Sequence, residues 1–134
     1  MKTAVIFWSG TGNTEAMAQA VAEGAGTEAV EVSDFSADLA EYDAIAFGCP
    51  AMGDEVLEED TFEPFFADSI AKLAGKKVVL FGSYGWGDGQ WMRDWEGRVK
   101  EAGAELLADG LTVNEAPDDD ALAQCKALGE KLAG

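Results

Sequence analysis

Ala4-Val5-Ile6-Phe7-Trp8 runs without a break into Ser9-Gly10-Thr11-Gly12-Asn13-Thr14-Glu15. The first five residues read as a buried strand, because an apolar run this short that ends in a glycine-rich turn suits a strand covered on both faces. From Asn13 to Gly24 the apolar residues recur at helical spacing. Strand, glycine-rich loop and helix therefore stand in immediate succession, the opening unit of a parallel α/β sheet.

The same alternation continues along the chain. Ala29 to Val32 reads as a short strand and Ala44 to Gly48 as a buried one. Phe62, Phe65, Phe66, Ile70 and Leu73 follow at helical spacing. Lys77 to Gly82 is the fourth strand, after the break at Gly75. Trp91, Trp95, Val99 and Ala102 share one helical face, so both tryptophans are read as core. Leu106 to Val113 supplies a fifth strand, interrupted near Gly110. A last helix follows Pro117-Asp118, with Leu122, Cys125, Leu128 and Leu132 inward. Strands alternating with helices predict a three-layer α/β fold, doubly wound around a five-stranded parallel sheet. The 134 residues suit one domain, 1–134, with no linker or internal repeat.

Composition narrows the function. The chain is 48% hydrophobic, enough for a core. Its 26 acidic and 9 basic residues give a net charge of −17, which repels nucleic acid and anionic membranes. No apolar run is long enough to span a bilayer, and the stretch after Met1-Lys2 is too short for a signal peptide, so a cytoplasmic location is expected. The chain has no histidine, which removes every triad built on a histidine base. Cys49 and Cys125 form neither a disulfide framework nor a zinc pattern, so both are read as ordinary buried thiols and no metal is expected.

The loop after the first strand concentrates Ser9, Gly10, Thr11, Gly12, Asn13 and Thr14 at a helix start. Glycine backbone N–H groups, hydroxyl donors and the positive end of a helix dipole together hold a phosphate without any cation. No basic residue stands between Lys2 and Lys72, so neutral donors are what this half of the chain offers. A Walker loop would need a lysine after its second glycine, and a dinucleotide fingerprint would need a glycine where Glu15 stands. Trp8, closing a buried strand, is read as structural.

Two further loops are unusual. Cys49-Pro50-Ala51-Met52-Gly53-Asp54-Glu55 follows strand three, and Ser83-Tyr84-Gly85-Trp86-Gly87-Asp88-Gly89 follows strand four. An indole flanked by glycines is too costly to leave exposed, so a flat partner is expected to cover it. A thioether on one side and an indole on the other make a slot for a planar ring.

Together the three loops resemble the flavin-binding loops of flavodoxins, most closely the short-chain subclass, over nearly the whole chain. The resemblance implies a flavodoxin-like sheet of order 2-1-3-4-5. It also places the ligand beyond the carboxyl ends of the strands, a placement for which flavodoxins are themselves a standing example. It implies one non-covalent FMN and a low-potential one-electron carrier, not an enzyme, working through the semiquinone/hydroquinone couple. By the same resemblance Ser9 to Thr14 and Ser83 surround the phosphate, Met52 and Trp86 cover the inner and outer ring faces, and Glu55 accepts from flavin N3–H. Backbone N–H groups from Gly85 to Gly89 would bond the pyrimidine edge. The Gly53 carbonyl would accept from N5–H after reduction. Redox partners with basic docking surfaces, iron–sulfur or flavin enzymes, are expected, and a monomer. The alternative is a two-electron quinone or nicotinamide oxidoreductase on the same fold, which would need a second pocket. A phosphoryl-relay receiver would need an acidic pair where Trp8-Ser9 stand, and a thiol phosphatase an arginine after Cys49.

Overall fold

In the computed structural model, which describes residues 2–52, 56–85, 87 and 89–134, the strands lie in one parallel sheet. The elements are β1 (Thr3–Phe7), α1 (Asn13–Ala25), β2 (Ala29–Glu31), β3 (Ala44–Gly48), α2 (Phe62–Ser69), β4 (Lys77–Tyr84), α3 (Gln90–Glu101), β5 (Glu105–Leu106), β6 (Leu111–Asn114) and α4 (Asp119–Ala133). Sheet order is β2-β1-β3-β4-β5, as the resemblance implies, and β6 also pairs with β4. The expected fifth strand is thus two pieces on the same edge. Glu105 and Leu106 pair with Lys77 and Val78, and Leu111 to Asn114 pair with Phe81 to Tyr84. The interruption is held at Gly110, whose N–H donates to the Glu96 carboxylate.

The sheet is apolar on both faces because alternate residues of each central strand serve different helices. Ile6, Phe47 and Leu80 are aligned across the sheet and pack with α2 and α3 around Phe62, Phe66, Trp91 and Trp95. Trp95 meets Phe62 edge-on with ring centres 5.6 Å apart, and Phe47 meets Phe66 likewise at 5.3 Å. Both tryptophans are therefore core, as their spacing predicts. Arg98 on α3 binds Glu63 on α2 through both guanidinium nitrogens at 2.7 Å and lies over the Phe66 ring.

On the other face Val5, Ala46 and Val79 meet α1 and α4 through Met17, Val21, Cys125 and Leu132. These two helices cross at closest approach where Gly129 faces the Val21 carbonyl and Gly24 faces that of Lys126. A side chain at either glycine would meet backbone, which cannot rotate aside. Replacing Gly129 by valine is expected to lower stability by about 1–3 kcal/mol, the usual cost of overpacking, read as a lower urea midpoint.

Candidate functional site

The loops after β1, β3 and β4 converge at the carboxyl end of the sheet. Between them lies a cleft of about 230 Å³. Of the residues expected from sequence, Gly10, Thr11, Asn13, Pro50, Ala51, Met52, Ser83, Tyr84 and Gly85 line it. Ser9, Gly12 and Thr14 stand in the wall behind, while Gly87 and Gly89 lie along the turn that leads into α3. Gly53, Asp54, Glu55, Trp86 and Asp88 lie outside the described residues, so their expected roles rest on sequence alone.

The first loop is built to leave donors free. Gly12 caps α1 at φ +94°, a conformation that L side chains rarely adopt. Ser9 Oγ accepts from the N–H groups of Gly12 at 3.1 Å and Glu15 at 3.2 Å, so its own proton remains for an incoming acceptor. The first intrahelical bond runs from Ala16 N–H to the Gly12 carbonyl. The N–H groups of Asn13 and Thr14 therefore precede any helical acceptor. Thr14 and Ser83 are both buried, with their hydroxyl oxygens 3.0 Å apart, and Ser83 N–H also donates to Thr14 Oγ1. Two hydroxyls spend one proton on each other and keep one to give.

The second loop is pinned at both ends. Ala51 N–H donates to the Ser83 carbonyl at 3.0 Å, and Met52 and Val56 exchange two backbone bonds. Beneath it, Glu58 is buried and its carboxylate accepts from the N–H groups of Asp60, Thr61 and Phe62 at the start of α2. Glu58 N–H in turn donates to Cys49 Sγ at 3.4 Å. The Cys49 carbonyl accepts from Trp91 Nε1 at 3.2 Å. One side of the cleft is thereby fixed to β3, α2 and α3 together.

Two lining residues escaped the sequence reading. Trp8, read there as structural, is half-buried and forms part of the cleft wall, while its N–H still donates to the Gly48 carbonyl at 3.0 Å just past the end of β1. Its position directly before Ser9 was the available signal. Glu115 follows β6 and reaches the cleft from the sheet edge. Nothing in its residue type marks it, although the end of a last strand beside β4 is where such a residue would stand.

No lysine or arginine lines the cleft among the described residues. Neutral donors gather at the β1 side, and Trp8, Pro50, Ala51 and Met52 give apolar walls. A planar ring bearing a phosphate fits this polarity, which meets the demand that FMN would make of the site.

Comparison with known proteins agrees. The family model for flavodoxins matches residues 5–129. This chain belongs to the flavodoxin family. It is 50% identical to the flavodoxin of Megasphaera elsdenii, over 96% of each chain, and 47% identical to that of Clostridium beijerinckii, over 96% of this chain and 97% of the relative. The solution structure of two-electron reduced M. elsdenii flavodoxin superimposes with a TM-score of 0.88 and 47% identity, covering 98% of each chain. Flavodoxins are FMN-binding electron-transfer proteins, not enzymes, and the chain shares that role and cofactor.

Both thiols stay protonated. Burial pushes Cys49 far above the ordinary thiol range; the Glu58 N–H pulls the other way, and the Glu58 and Glu63 carboxylates add smaller upward pushes. Burial alone raises Cys125 to about 11. Since the thiolate is the reactive form, neither cysteine is expected to react with a thiol-specific disulfide reagent at pH 8 in the folded protein, and both are expected to react after unfolding in urea. Rapid labelling of the native protein would contradict this packing.

Proposed function

We propose that this chain is a low-potential one-electron carrier whose cleft holds one FMN, phosphate toward the β1 loop and ring between the β3 and β4 loops. The observation that carries the reading is the cleft's polarity, with free neutral donors on one side, apolar walls on the other and no cation among the described lining residues. FMN, when bound, supplies the stepwise electron chemistry.

The chain's own residues divide the remaining work. Ser9, Gly10, Thr11, Gly12, Asn13 and Thr14 hold the phosphate, with Ser83 completing the cradle. Pro50, Ala51 and Met52 form the inner wall. Tyr84 and Gly85 continue the opposite side toward Trp86, which supplies the outer wall. Gly53, Asp54, Glu55, Gly87, Asp88 and Gly89 take the roles that their sequence positions assign, Glu55 and the Gly53 carbonyl accepting hydrogen bonds from ring N–H groups.

Charge sets the direction of the potential. Reduction adds negative charge to a cleft in a protein of net charge −17. At an effective dielectric of about 20, a carboxylate roughly 10 Å away opposes that charge by on the order of 1 kcal/mol before screening. Several such groups, with Glu58, Glu59 and Asp60 beside the second loop, push the last reduction step to low potential. The same acidic surface suits brief encounters with basic rims around a partner's iron–sulfur or flavin centre. The unit is one domain of 134 residues acting as a monomer in the cytoplasm. Among the described residues no helix is long and apolar enough to cross a membrane.

Anaerobic stepwise reduction of the FMN-loaded protein, followed by visible absorption, tests the reading. A yellow protein that passes through a distinct blue stage at half reduction is the expected result. A protein that takes up no FMN would sink it, and bleaching in one two-electron step by a nicotinamide donor would make it an oxidoreductase. Trp86→Ala is expected to weaken FMN binding by about 1–3 kcal/mol, the range for an aromatic stacked on a heterocycle; titration of the apoprotein by flavin fluorescence gives the value. Unchanged affinity would remove Trp86 from the ring site.

A further inference from the structure

Among the described residues Glu115 alone has positive φ without being glycine, at 59°. It directly follows Asn114, the last residue of β6 paired with Tyr84, and its N–H donates to the Tyr84 carbonyl at 2.7 Å. Glycine or asparagine takes this left-handed conformation with less strain than glutamate does. Residues kept in a disfavoured conformation cluster at functional sites. Glu115 also lines the cleft and is the one acidic residue that does so among those described. No hydrogen bond or ion pair from a described residue engages its carboxylate, which is exposed.

The chemistry of that carboxylate limits what it serves. It repels a phosphate and gains nothing from an apolar ring face. A carboxylate is complemented by a cation or by a neutral group rich in donors, and FMN carries no cation. Between a phosphate at one end of the cleft and a flat ring at the other, FMN carries such a group, the hydroxylated chain that joins them.

We propose that Glu115 is a flavin-binding residue whose carboxylate accepts hydrogen bonds from the hydroxyl groups of that chain, its left-handed backbone serving to bring the side chain to the cleft. This rests on the FMN reading above. It predicts that strain and affinity are traded at one position.

The test compares apoprotein stability in urea with affinity for FMN and for riboflavin, which lacks the phosphate, in the parent protein, Glu115→Gly and Glu115→Gln. Glu115→Gly is expected to raise the urea midpoint of the apoprotein. It should weaken FMN and riboflavin binding by the same factor, roughly tenfold for a lost hydrogen bond to a charged group. Glu115→Gln, which keeps an acceptor and the same backbone, is expected to bind both flavins within a factor of about three of the parent. A Glu115→Gly protein that is stabilised yet binds both flavins as the parent does would overturn the proposal, as would a lowered midpoint. Tighter FMN binding by Glu115→Gln with riboflavin unchanged would also overturn it, placing the carboxylate beside the phosphate. If the parent apoprotein binds neither flavin, the FMN reading itself falls, and this assignment with it.

Discussion

A buried hydroxyl pair sets the geometry on which the rest of the site depends. Thr14 opens α1 and Ser83 stands near the end of β4, and their oxygens meet at 3.0 Å. The two residues are 69 positions apart in the chain, one on the helix that follows β1 and one on β4, strands that β3 separates in the sheet. Buried polar groups of this kind are costly unless satisfied, and these satisfy each other, with the Ser83 N–H adding a second contact. The first loop is therefore placed relative to the fourth strand by a directional bond and not merely by apolar packing. The donors of Ser9, Asn13 and Thr14 inherit that placement. So does the second loop, because Ala51 donates to the Ser83 carbonyl.

Much of this was legible in the sequence. The central strands announced themselves as apolar runs because both faces of a parallel sheet are covered, and Trp91 and Trp95 announced a core face through their spacing. The donor-rich loop after β1 was legible because glycines, hydroxyls and a helix start coincide within six positions at Ser9 to Thr14. What the pattern did not carry was anything decided by tertiary pairing. The split of the last strand depends on Gly110 finding the Glu96 carboxylate on α3, a contact between residues 14 positions apart that no local period encodes. The part Trp8 plays in the cleft turns on the β3 and β4 loops gathering beside the end of β1. Glu115 is at the cleft because β6 lies beside β4, and a glutamate in a polar turn looks like any solvated acid until that neighbour is known.

Glu58 shows how one residue type hides two kinds of work. In the sequence it is one acid among several in an acidic stretch. In the fold it is buried, caps α2 with its carboxylate and holds Cys49 through its N–H. Its negative charge is thus part of the structure's hydrogen bonding as well as of the field at the cleft. Acids on the surface nearby contribute only field, and salt screens them more readily.

The broken strand at the sheet's edge has a consequence of another kind. A long unpaired edge is a template on which a second chain can add itself. Here one edge is β2, three residues long, and the other is divided into pieces of two and four residues by the turn at Gly110. Neither offers a run on which a neighbouring copy could build a continuous ladder. The interruption thus helps keep copies of this protein apart when they are crowded, alongside the mutual repulsion of their charge.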